Sequence, residues 1–183
     1  MGEKETASLL PKCAKSLVDL VLDSTGHDLI YRECCRREAK LKKEIPFEAF
    51  CNEYVAAKLA LGCVYWMDCC GSHRITDKDQ RNLFFREVMN LFETPKSLES
   101  ATRFSENLYA SNAKTEASPV LGVLVHFFRQ LKLDPKITGQ GAEASVSPAF
   151  YFMTEVFEAL KTVFESQFDE VMYSNDDFSA GSG

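Results

Sequence analysis

The sequence predicts an all-α fold, on three observations. Apolar residues recur at three- and four-residue spacing in one segment after another. No segment sustains an alternation of period two, and no Asn-Gly or Asp-Gly hairpin signal occurs. Thr94-Pro95, Ser118-Pro119 and Ser147-Pro148 each set a capping hydroxyl before a proline at the first helical position, where proline loses no hydrogen bond.

The elements follow in order. From Thr6 to about Ser24, Leu10, Cys13 or Ala14, Leu17 or Val18, and Val21 make one helix face, which Gly26 ends. A polar helix is expected from about Asp28 to Lys43, supported by the pairs Glu33/Arg37 and Glu38/Lys42 and stopped by Pro46. Pro46 to Cys70 is the most apolar stretch and predicts a central helix. Glu53, Lys58 and Asp68 deny it the uncharged run of roughly 18 to 20 residues that spans a bilayer. Gly71-Ser72 breaks it, and Thr76 with Asp79 opens a helix to about Glu93 that presents Phe84, Val88 and Leu91 or Phe92.

Helices then follow the three prolines, to about Ser111, Lys132 and Tyr173. The one after Pro119 is apolar on nearly every side and is expected to be buried. The last carries a stripe of Met153, Val156 or Phe157, Leu160, Val163 or Phe164, Phe168, and Val171 or Met172. The sum is a single globular bundle of about seven helices with two apolar central helices, spanning residues 1–173. Residues 133–147 form its longest internal loop, and residues 174–183 read as a flexible tail.

A chain of 183 residues with 45% apolar and 26% charged residues fits one soluble domain and excludes collagen, disorder and a polytopic membrane protein. The net charge of −6 is unevenly placed. Residues 1–75 hold 11 Lys+Arg against 11 Asp+Glu, whereas residues 76–183 hold 10 against 16. An anionic partner is therefore expected on the first part, and neither nucleic acid nor a membrane is an expected partner of the whole. The start lacks a signal-peptide apolar core, the seven cysteines are an odd number, and no N-x-S/T acceptor is present, which together predict a cytoplasmic protein with free thiols. Met1-Gly2 with Thr6 meets the loose myristoylation pattern, but its acidic neighbours suit that modification poorly.

No Walker A loop, EF-hand loop or H-E-x-x-H occurs, and the residues three before His27, His73 and His126 are Ser24, Cys70 and Val123, so no Glu-x-x-His pair exists for a di-iron centre. Gly139 to Ala144 satisfies G-x-G-x-x-A, but it follows no strand and opens no helix. Cys63, Cys69, Cys70 and His73 have the ligand chemistry of zinc. Cys69 points about 100° from Cys70 on a helix, so no metal site is expected there.

Three constellations remain. His126 beside Phe127 and Phe128 is the candidate cofactor-binding set, with the chemistry a haem-like group would use. Arg36, Lys40 and Lys43, at i, i+4 and i+7, are the candidate partner-binding face. Cys34 and Cys35, flanked by Arg32, Arg36 and Arg37, are the candidate reactive thiols, because nearby guanidinium charge favours thiolate. The expected function is a non-catalytic helical binding module, engaging a protein partner or acting as a regulator, with no cofactor and with a homodimer through the final helix as one form of association. Its rival is a carrier or sensor of an apolar ligand or haem-like cofactor in a cavity between the central helices.

Overall fold

The computed structural model describes residues 3–72, 78–91, 118–133 and 147–173. These residues form seven α-helices and no strand: α1 (Glu3–Leu22), α2 (His27–Arg37), α3 (Ala39–Glu44), α4 (Phe47–Ser72), α5 (Lys78–Leu91), α6 (Pro119–Gln130) and α7 (Pro148–Tyr173). The all-α bundle predicted from periodicity is the fold observed. The expected helix after Thr94-Pro95, most of the 133–147 loop, the tail from residue 174 and His73 lie outside the described residues.

Helix α4 is the axis of the bundle. Eight consecutive residues, Ala56 to Cys63, are buried on every side of it, and it packs against α1, α2, α5, α6 and α7. The closest approach is at Gly62. A β-carbon there would overlap the Leu17 side chain of α1 and lie 3.3 Å from the Phe164 ring of α7, so the absent side chain lets three helices cross at one level. Ser16 Oγ donates to Gln167 Oε1 nearby, which ties α1 to α7 beside the crossing.

Two aromatic clusters flank that crossing. Toward the start of α4, Phe50 and Tyr54 meet Phe127 of α6 and Phe157 of α7. Tyr54 stacks on Phe157 with centroids 6.0 Å apart, and Phe50 meets Phe127 edge-on at 5.5 Å. Toward its end, Trp66 stacks on Phe84 of α5 at 4.1 Å and meets Phe168 of α7 edge-on at 5.4 Å. Pairs in these geometries add about 0.5 to 1.5 kcal/mol to simple burial. The stripe on α7 is thereby resolved: Phe157 and Phe164 face the core, while Val163 is exposed.

Three local expectations are corrected. The second helix is two, because Glu38 leaves helical geometry (φ −133°, ψ 99°). Its side chain caps the Lys40 amide and accepts the Ser147 hydroxyl at 3.0 Å, partners that a mid-helix glutamate facing solvent would not have. Helix α6 buries Val120, Val123, Leu124, Phe127 and Phe128, but Leu121 is exposed, so this helix is one-faced, unlike the Ala56–Cys63 stretch of α4. Of the two Ser-Pro caps described, Ser147 Oγ accepts from the Ala149 amide at 3.2 Å, whereas the Ser118 hydroxyl makes no cap bond.

Candidate functional site

The two buried polar side chains of the described residues, Lys58 and His27, are neighbours. Lys58 is the one charged residue between Tyr54 and Met67 on α4. A buried ammonium needs acceptors, and the frayed end of α1 supplies them. Lys58 Nζ donates to the Asp23 carbonyl at 2.8 Å and the Leu20 carbonyl at 3.3 Å, and lies 3.1 Å from His27 Nε2. It also sits over the Tyr54 ring, 5.4 Å from its centroid. The cation thus terminates α1 at the end where the helix dipole favours positive charge.

The proton pattern follows from this geometry. An ammonium has no lone pair, so His27 Nε2 accepts from Lys58, which places the proton of the neutral ring on the other nitrogen. Burial and then the Lys58 charge push the His27 pKa below its usual value, in keeping with a neutral ring. Burial pulls Lys58 down to about 8. Both groups have internal partners, so the pair acts as a structural clamp between α1, α2 and α4.

His27 also lines an open cleft of about 500 Å³, whose other walls include Leu22, Asp28, Phe47, Cys51, Asn52 and Val55. Leu22 and Phe47 stand 48% and 43% exposed at its edges, so apolar surface faces water there. A second cleft, of about 410 Å³, is lined by Tyr31, Arg32, Cys35 and Arg36 of α2 and Lys42 of α3. The wall between the clefts is aromatic. Tyr31, in the second, meets Phe47, in the first, edge-on at 5.3 Å, and its hydroxyl donates to the Ile45 carbonyl at 2.7 Å, which pins the α3–α4 turn against α2.

A single stripe of α2 passes through both clefts. His27 and Asp28 lie in the first, and Tyr31, Arg32, Cys35 and Arg36 in the second, at spacings of one helical turn. The Asp28–Arg32 ion pair, at 3.4 Å, bridges the boundary. Arg36 is held at 2.6 and 2.9 Å by both oxygens of Glu33, which also takes Arg37 at 2.8 Å. These guanidinium bonds draw the Glu33 carboxyl down to about 2. Lys42 makes no ion pair among the described residues.

The sequence-derived candidates are distributed as follows. Arg36 lies on α2, and Lys40 and Lys43 lie on α3, so the break at Glu38 takes them off one continuous helix face; Lys40 pairs loosely with Glu44 at 3.9 Å. Cys34 is fully buried, and burial pushes its thiol up to about 12, overriding the opposing pull of Arg37, so the expected thiolate does not form there. Cys35 is half-buried at the basic cleft. Phe127 is ringed by Phe50, Tyr54, Phe128 and Phe157, and Phe128 packs on Phe150, so both rings belong to the aromatic core. His126 is half-buried, and burial and Arg129 lower its pKa. Among the described residues no group of three His, Cys, Asp or Glu side chains can hold a metal, and no helix is long and apolar enough to cross a membrane.

The Lys58–His27 clamp and the two-cleft groove were not foreseen. The signal for the clamp was a lone lysine amid apolar residues on the central helix, which must find buried acceptors. The groove depends on the turn at Glu38 and on the packing of α2 against α4, which no local pattern announces. Fold and site together define a helical bundle with a composite surface groove. No protein-family model, curated protein or solved structure matches the chain.

Proposed function

We propose that this chain is a non-catalytic binding module that seats a protein partner in the cleft between the end of α1, the start of α2 and the start of α4. The observation that carries the reading is the open cleft with exposed Leu22 and Phe47 at its edges. Exposed apolar side chains around a concavity gain free energy when a partner covers them, at about 25 cal/mol per Å² removed from water. The buried ionisable groups behind the cleft support binding rather than chemistry, because their protons and lone pairs are engaged in holding the helices together. A reducing, cytosolic setting suits the reading, since Cys13, Cys34, Cys35, Cys51 and Cys63 are not joined in disulfides.

A photo-crosslinking residue at position 47, compared with one at the exposed position 163 of α7, tests this in intact cells. The expected result is a discrete protein adduct from position 47 that is lost on Leu22→Asp and absent from position 163. Adducts of equal yield from both positions overturn the seat. A small apolar molecule retained in native mass spectrometry, with no protein adduct, overturns the partner class in favour of a carrier.

A further inference from the structure

We propose that the partner is an acidic peptide segment, which lays an apolar anchor in the cleft of Leu22 and Phe47 and its carboxylates in the adjoining cleft of Arg32, Arg36 and Lys42. This rests on the binding reading above and specifies the partner's chemistry. Charge complementarity carries it. Residues 27–45 hold six Lys+Arg against four Asp+Glu in a chain of net charge −6, so this corner is the cationic part of an acidic protein. Three of those six side chains converge on one concavity.

The order of the two subsites follows from what surrounds each. The apolar cleft has Glu48 in its wall, together with Asp28, which is already paired with Arg32. Acidic side chains are repelled there and apolar ones are accepted. In the second cleft Glu33 sits behind Arg36, leaving guanidinium N–H groups and the Lys42 ammonium to meet incoming carboxylates. Asp28 and Arg36 are separated by about 12 Å along α2, at 1.5 Å per residue. A helical partner therefore places its carboxylates about two turns from its apolar anchor, and the Tyr31–Phe47 ring wall lies between them.

The test uses the full chain, isotope-labelled for amide NMR, with two synthetic amphipathic peptides of identical leucine spacing. One bears glutamates two turns beyond the leucines, the other glutamines. The expected result is saturable shifts at residues 31–42 and 47–55 with the glutamate peptide, and binding weaker by about tenfold with the glutamine peptide, a difference that raised salt removes. The double variant R32E/K42E, both positions being exposed, is expected to reverse the preference, binding the glutamine peptide more tightly than the glutamate peptide, while keeping the shifts at residues 47–55. Equal affinity of the unaltered chain for both peptides overturns the acidic specificity and leaves the apolar seat standing. Shifts at neither cleft overturn the specificity and the seat together. Unchanged discrimination in R32E/K42E overturns this placement of the carboxylates.

Discussion

The crossing of α1, α4 and α7 around Gly62 and the corner formed by α2, α3 and the start of α4 are built on opposite principles. At the crossing, Leu17 and Phe164 close over a glycine with no space for a methyl group, and the surroundings are apolar. At the corner, two open clefts meet at a ring wall, one edged by apolar side chains and the other lined by three cations. Packing at the crossing fixes the fold and has no surface to offer a partner. The corner offers surface and contributes little burial. Lys58 stands one turn from Gly62 on α4 and joins the two regions, since its bonds reach the end of α1 and the start of α2.

The largest effect that sharpens this contrast is expected at the core. Phe157→Ala removes the ring stacked on Tyr54 and edge-on to Phe127 and is expected to cost about 3 to 5 kcal/mol in urea unfolding. Leu17→Ala is expected to cost about 2 to 5 kcal/mol. Gly62→Ala gains about 1 kcal/mol of helix propensity but forces Leu17 aside, for a net loss of about 1 to 2 kcal/mol. The double variant Leu17→Ala/Gly62→Ala should then lose less than the sum of the singles, because the new methyl group enters the space the leucine vacates. Strict additivity would break the account of the crossing.

The junction between the regions has a pH signature. Lys58 binds a proton more weakly folded, at about 8, than unfolded, near 10.5, so the unfolded chain holds more protons in that window and stability rises with pH. Cys34 and Cys63 oppose it from about pH 8 and outweigh it above pH 9, because burial raises both thiols to about 12 and the unfolded chain loses those protons first. Two thiols outweigh one amine. Stability is therefore expected to climb by only about 0.3 kcal/mol from pH 8 to pH 9 and to fall beyond it. In Lys58→Met the climb disappears and the fall remains. A climb that persists in the variant would show that Lys58 is not its source. On the acid side, the lowered His27 pKa makes stability fall as pH drops below 6.5, because the unfolded ring takes its proton first.

How far the sequence revealed each region follows from the same contrast. Helices α1, α4, α5, α6 and α7 were legible because apolar periodicity and the Pro119 and Pro148 starts are local signals, and Pro148–Tyr173 is observed with the bounds expected of it. The Gly62 contact was not, since a glycine within a helical pattern is ambiguous until the partner helices are placed. Cys34 misled for a related reason: the arginines around it lie close in sequence, but burial, a tertiary quantity, sets its thiol. Arg36, Lys40 and Lys43 were singled out on the assumption of a continuous helix. Glu38 breaks that helix through its bond to Ser147, 109 residues away in the chain.

That bond gives the smallest effect. Glu38 caps the Lys40 amide and accepts from Ser147 Oγ, whose other partner is the Ala149 amide, so the start of α7 helps set the angle between α2 and α3. Glu38→Ala is expected to cost about 1 kcal/mol, the usual scale for a lost cap with one side-chain hydrogen bond. Amide shifts should spread over residues 38–44 and 147–149 and leave residues 56–66 unmoved. The consequence for binding is sharper than that for stability. Lys42 is the one lining residue of the basic cleft that comes from α3, so freeing the α2–α3 turn should weaken the glutamate peptide while sparing the glutamine peptide. If both peptides weakened together, the two clefts would be mechanically one site, and the division at the Tyr31–Phe47 wall would fail.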